Sequence, residues 1–104
     1  MEEIVLLETK LAKKDKEVFK FQFPIGEFDM VVFDKKKLSC EIYEIKHSES
    51  QTKQQYRHLV DEDKCELTKQ RYGNISRRYV IYRGEDALID GIQYLNVEKY
   101  LKSL

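Results

Sequence analysis

The chain has 104 residues, of which 37% are charged, 41% hydrophobic and 12% aromatic; that is enough apolar material for one small core, and it excludes a wholly disordered chain. Nineteen Lys and Arg balance nineteen Asp and Glu, so bulk charge gives no reason to expect nucleic acid or a membrane, and any such contact must come from a local patch.

Residues 2–14 read as a helix, with Ile4, Leu7 and Leu11 on one face at 100° per residue, Glu2 nearly opposite, and Glu8 inside the apolar arc. Residues 18–23 alternate apolar and polar and suit a strand, which Pro24 and Gly26 end. Strands are expected at 27–34 and 39–46, joined by the hairpin-length Lys35-Lys36-Lys37-Leu38. Ser48 and Gln51 have capping-box spacing, which predicts a helix over 50–71 that buries Tyr56, Leu59, Val60 and Leu67 and ends at Gly73. Strands over 77–83 and 91–97 follow, and VEKYLKSL closes the chain as a short helix. The crossover through helix 50–71 makes strands 39–46 and 77–83 parallel, while short loops make the first three strands antiparallel. The predicted class is α/β, one domain over 1–104, with a mixed central sheet flanked by helices.

A hairpin closing on Lys36-Lys37 pairs residues whose numbers sum to 73, so Asp34 faces Ser39, Phe33 faces Cys40, Val31 faces Ile42 and Asp29 faces Glu44. Like charges directly opposite one another are destabilising. A shared proton relieves the repulsion, and a bound cation relieves it better, Mg²⁺ being commonly held by one or two carboxylates. Lys46 falls beside Glu44 with Glu27 opposite it, and Glu8, facing the core, needs a partner or a metal. Glu8, Asp29 and Glu44 are therefore the expected metal ligands. With Lys46 to orient water or steady developing charge, they are the parts of a metal-assisted phosphodiester hydrolase. Four acid-x-Lys triplets occur, at Glu8, Asp34, Glu44 and Glu62. Only Glu44-Ile45-Lys46 ends an apolar strand one hairpin after a strand acid.

Asp29 in GEFDMVVFD, followed by Glu44-Ile45-Lys46 in CEIYEIK, resembles the PD-(D/E)XK, or restriction-endonuclease-like, superfamily, whose αβββαβ core has the element order above. EEIVLLE, GEFDMVV, EIYEIKHS and GIQYLNVEKYL further resemble the C-terminal domain of prokaryotic AAA-type P-loop ATPases. Glu8 matches the glutamate of that family's first helix, and Glu2 aligns with an earlier one. The resemblance implies a Mg²⁺-dependent nuclease-like domain acting on nucleic acid, DNA ahead of RNA, with a P-loop ATPase domain in cis. Glycines fall only at 26, 73, 84 and 91, so no Gly-x-x-x-x-Gly-Lys is present, and the chain is expected to be a fragment or stand-alone domain. Phe28 stands where the superfamily often has proline. Two other readings stay open: a non-catalytic module of the same fold that docks DNA or a partner, and a homo-oligomeric structural domain.

Related nucleases often carry a glutamine near the metal, and Gln55 is the candidate here. His47 directly follows the strand, where a surface or capping role is favoured over a phosphate contact; His58 has no second ligand at zinc spacing. Cys40 and Cys65 read as packing residues in a reduced, cytoplasmic setting. MEEIVLLETK lacks the pattern of a signal peptide, and no run reaches the roughly 18 apolar residues of a membrane span. Lys35-Lys36-Lys37 and Arg77-Arg78 are the basic clusters, read as solvated tips ahead of backbone trackers.

Overall fold

The computed structural model describes the backbone of residues 1–104 and every side chain but that of Lys53. Helix α1 (Glu2–Ala12) precedes strands β1 (Glu17–Gln22), β2 (Glu27–Asp34) and β3 (Ser39–Ile45). A single 3₁₀ turn (Lys53–Tyr56) leads to α2 (Glu62–Tyr72), then β4 (Asn74–Tyr82), β5 (Ala87–Ile89), β6 (Ile92–Asn96) and α3 (Val97–Ser103). The six strands form one mixed sheet in the order β1-β2-β3-β4-β6-β5. β2 pairs antiparallel with β1 and β3, while β3–β4 and β4–β6 are parallel. Met30 to Asp34 pair with Tyr43 to Ser39 in the register whose numbers sum to 73.

Helices cover both faces, which explains why β2 reads as a continuous apolar run rather than an alternating one. On one face Phe28, Val31, Phe33, Ile42, Val80 and Tyr94 pack with Tyr56 of the 3₁₀ turn, Leu59 of the segment after it and Cys65 of α2. On the other, Met30, Val32, Tyr43, Ile45 and Ile81 pack with Val5 of α1 and Tyr100 of α3. The strand order centres on β3 and β4, so the ends of these two strands are where loops from different elements meet.

Four details depart from the sequence expectation. α1 turns its other face inward: Val5 and Thr9 are fully buried, whereas Ile4, Leu7 and Leu11 are more than half exposed, and so is Glu8's face. Thr9 tolerates burial because its hydroxyl donates to the Val5 carbonyl and hydrogen-bonds the Tyr100 hydroxyl. The helix expected over 50–71 is broken into the 3₁₀ turn and α2. The Leu59 carbonyl is taken by the Arg78 guanidinium at 2.8 Å and the Cys65 thiol, and Asp61 starts a fresh helix by accepting from the Lys64 N–H. Val60 is consequently exposed, and the capping box lies at Thr52 and Gln55 instead of Ser48 and Gln51. Finally, β4 begins at Asn74, directly after Gly73, and a further strand, β5, pairs with β6 through a hairpin whose Asp90 and Gly91 both have positive φ.

Candidate functional site

A bulge in β2 builds the site. Phe19 pairs with Val31 and Phe21 with Phe28, so Asp29 and Met30 together oppose Lys20 alone. Such an extra residue bends its strand and re-aims a side chain. Phe28 thereby joins Val31 on the α2-side core, and the β2–β3 ladder stops at Met30–Tyr43. In that register Ile45 would next have met Phe28. The Ile45 N–H instead donates to Asp29 Oδ2 at 2.7 Å, so a carboxylate replaces a ladder carbonyl at the point where the strands part.

Glu44 lies against Asp29 in this gap and is 2% exposed. Burial pushes its pKa up to about 9, hydrogen bonding with Asp29 and the Asp29 charge add to the rise, and Lys46 partly offsets it. Burial beside the Asp29 charge thus favours the neutral form of Glu44 at pH 7. The Lys46 ammonium stands 3.6 Å from Glu44 Oε2, while Glu44 Oε1 is buried with no hydrogen-bond partner among the described residues. Lys46 leaves the sheet just past β3, its N–H held by the Ile81 carbonyl at 2.8 Å. Asp29, Glu44 and Lys46 thus meet, but through the bulge and the parted ladder rather than as the directly opposed Asp29–Glu44 pair the register argument expects.

Two more acids join: Glu2 from α1, which the register argument did not place there, and Glu27 from β2, which it placed opposite Lys46. Carboxylate oxygens of Glu2, Glu27 and Asp29 all lie within 4.8 Å of one another. Lys20 sits 2.8 Å from Glu2 Oε1 and 3.6 Å from Glu27 Oε2. The Lys20 ammonium pairs with both acids, most closely with Glu2. Glu27 therefore faces Lys20 rather than Lys46.

Glu8 does not reach this cluster: it sits on the exposed side of α1, and Glu2 is the glutamate that α1 brings to Asp29. The sequence carried a signal for this, since Glu2, Val5 and Thr9 are spaced i, i+3 and i+7, but a stripe led by an acid and ending in threonine is easily passed over. Gln55 is buried, yet its amide is spent on the loop before it. It donates to the Ser48 hydroxyl and the Ser50 carbonyl and accepts from the Thr52 N–H. His47 is exposed. The His58 ring packs where a Gly26 Cβ would be, and burial, with the nearby Lys64, Arg57 and Lys46 charges, lowers its pKa. Cys40 and Cys65 are buried packing residues. Lys35 pairs with Glu17 at the sheet edge.

No protein-family model, curated protein or solved structure matches this chain. The site's own chemistry is a cluster of carboxylates, Asp29 and Glu44 buried and Glu2 and Glu27 half-buried, with two lysines at a strand gap. No helix is long and apolar enough to cross a membrane.

Proposed function

We propose that the chain is a restriction-endonuclease-like nuclease module in which Asp29 and its neighbouring carboxylates hold Mg²⁺ and phosphodiester bonds are hydrolysed beside Lys46. The observation that carries this reading is the meeting of Asp29, Glu44 and Lys46 where β2 and β3 part. The order α1, β1–β3, α2, β4 on a mixed sheet supports it as the αβββαβ arrangement. The donor set fits a hard divalent cation. Glu2, Glu27 and Asp29 offer oxygens within 4.8 Å of one another, while octahedral Mg²⁺ wants adjacent ligands ~3 Å apart, a closure within reach of small carboxylate rotations. Glu44 Oε1, buried and unpartnered, is the kind of atom such a site leaves waiting.

Bound there, Mg²⁺ supplies Lewis acidity toward a phosphoryl oxygen and acidifies a water. The chain's own residues do the rest. The Ile45 N–H fixes the Asp29 carboxylate, Glu44 holds a proton in the metal-free protein, and Lys46 would steady negative charge on the phosphoryl group. Glu8 and Gln55 take no direct part. The substrate class is nucleic acid, DNA ahead of RNA, and association with a P-loop ATPase in a cytoplasmic setting belongs to the same proposal.

One observation favours a second reading. Lys20 already supplies positive charge to Glu2 and Glu27, as expected of a non-catalytic module of this fold that docks DNA or a partner. Labelled single- and double-stranded DNA and RNA, incubated with Mg²⁺ or Mn²⁺, separate the two. The nuclease reading expects metal-dependent cleavage that Lys46→Ala abolishes while the fold survives, because Lys46 is more than a third exposed and packs little. Cleavage surviving in Lys46→Ala places the reaction elsewhere, and no cleavage by the wild type with any substrate leaves the docking module.

A further inference from the structure

Lys46 also lines a recess of about 430 Å³ formed with the loop between β3 and the 3₁₀ turn and the residues after it. Its walls carry Lys46, His47, Arg57 and His58 together with the hydroxyl residues Ser48 and Thr52, and no Asp or Glu lines it among the described residues. In a chain with as many acids as bases, a recess lined by the cations Lys46 and Arg57 and two histidines, with no carboxylate in its walls, is a local asymmetry. Lys16, Lys20, Lys35 and Lys64 have carboxylate partners elsewhere. Arg57 is exposed and has no ion-pair partner among the described residues.

The recess is also held in shape before any ligand arrives. Buried Gln55 ties Ser48, Ser50 and Thr52 together through three hydrogen bonds, and Ser48 donates to the Ser50 carbonyl. The Arg83 N–H fixes the start of the loop through the Ser48 carbonyl at 3.0 Å. A wall already set lowers the ordering cost of binding, and guanidinium with ammonium is the pairing that suits phosphate oxygens.

We infer that this recess binds a phosphoryl group of a nucleic-acid strand, using Arg57 and Lys46 as its charged contacts and the Ser48–Thr52 loop as its wall. The inference deepens the nuclease reading and rests on it for the nature of the strand. Lys46, shared between recess and acids, sets the bound phosphate next to the one at the acid cluster. The phosphate is either an internal diester or a terminal monoester.

Metal-free titrations, with EDTA present, of thymidine, TpT and pTpT followed by NMR of the Arg57 Nε–H and the His47 and His58 ring protons test it. TpT and pTpT are expected to shift these signals and thymidine to leave them in place. Equal affinities identify the diester as the ligand, and a pTpT affinity about tenfold higher identifies the terminal phosphate. Arg57→Gln, a change at an exposed position, is expected to weaken pTpT about tenfold, with Arg57→Lys recovering part of the loss. Lys36→Gln, at the exposed hairpin tip, is expected to bind pTpT as the wild type does. The inference is overturned if thymidine shifts the same signals, if Arg57→Gln binds unchanged, or if the shifts map to Lys35-Lys36-Lys37. Binding without any metal-dependent cleavage upholds the recess and removes the nuclease reading; cleavage without binding does the reverse.

Discussion

Glu44 is the residue whose environment says most about the site. A carboxyl that is 2% exposed and leaves one oxygen unpartnered is costly unless it stays neutral or meets a cation. With a folded pKa of about 9 against an ordinary value of 4.5, the native state holds a proton that the unfolded chain releases between those limits. Stability from this group is full below about pH 4.5 and falls as pH rises toward 9. Glu44→Gln removes the titration, so metal-free Glu44→Gln should melt above the wild type by a margin that grows from pH 5 to pH 9, a trend that thermal denaturation at several pH values checks. A constant margin would mean that Glu44 is ionised throughout. At Asp29 the two substitutions should diverge. Asn keeps an acceptor for the Ile45 N–H and offers a donor to Glu44, so metal-free Asp29→Asn should be at least as stable as the wild type. Asp29→Ala orphans that N–H and should lose about 1–3 kcal/mol in urea titrations. The meeting of Asp29 and Glu44 was legible in the sequence because a four-residue connection fixes the register. Glu2's place was not, because it depends on which face of α1 is inward.

That face is a question at the scale of elements. Ile4, Leu7 and Leu11 make a clear helical stripe, yet α1 buries the opposite side, where Val5 lies under the sheet and Thr9 satisfies its hydroxyl on Tyr100. Periodicity identified the helix but could not choose its partner, since the choice belongs to packing against β1 and α3. The break of helix 50–71 has a similar origin, as the Leu59 carbonyl bonds a strand residue, Arg78, 19 positions on. By contrast, the Asp90-Gly91 pair between Ala87-Leu88-Ile89 and Ile92 is a local hairpin signal, and β5 could have been read from it. Gly73 was legible as a helix end, and the structure adds why it tolerates no side chain: its φ is +80°, and a Cβ there would stand 1.9 Å from the Leu38 carbonyl oxygen. Because that carbonyl accepts the Asn74 N–H, it cannot simply move away. Gly73→Ala should therefore destabilise by more than the ~1 kcal/mol of conformational strain alone, measured as a fall in the urea midpoint. An unchanged midpoint would show that the α2–β4 junction is free to shift.

For the whole molecule, the mixed sheet with helices on both faces follows from short connections among β1–β3 and a long crossover to β4, and this much the pattern of apolar runs foretold. The bulge that aims Asp29 did not show in the sequence, because GEFDMVV reads equally well as an unbroken strand; only its pairing against β1 reveals the extra residue. The central claim is that this bulge, the parted ends of β2 and β3 and the α1 glutamate together make a divalent-cation site. Paramagnetic Mn²⁺, added at substoichiometric amounts to uniformly labelled protein, tests it most directly through the amide signals it broadens. The account predicts selective loss of signals around Phe28–Met30 and Glu44–Lys46, reversed by excess Mg²⁺ and absent in Asp29→Asn. Broadening centred instead on the exposed acids at the start of α2, Glu62 and Asp63, or broadening that persists in Asp29→Asn, would contradict it.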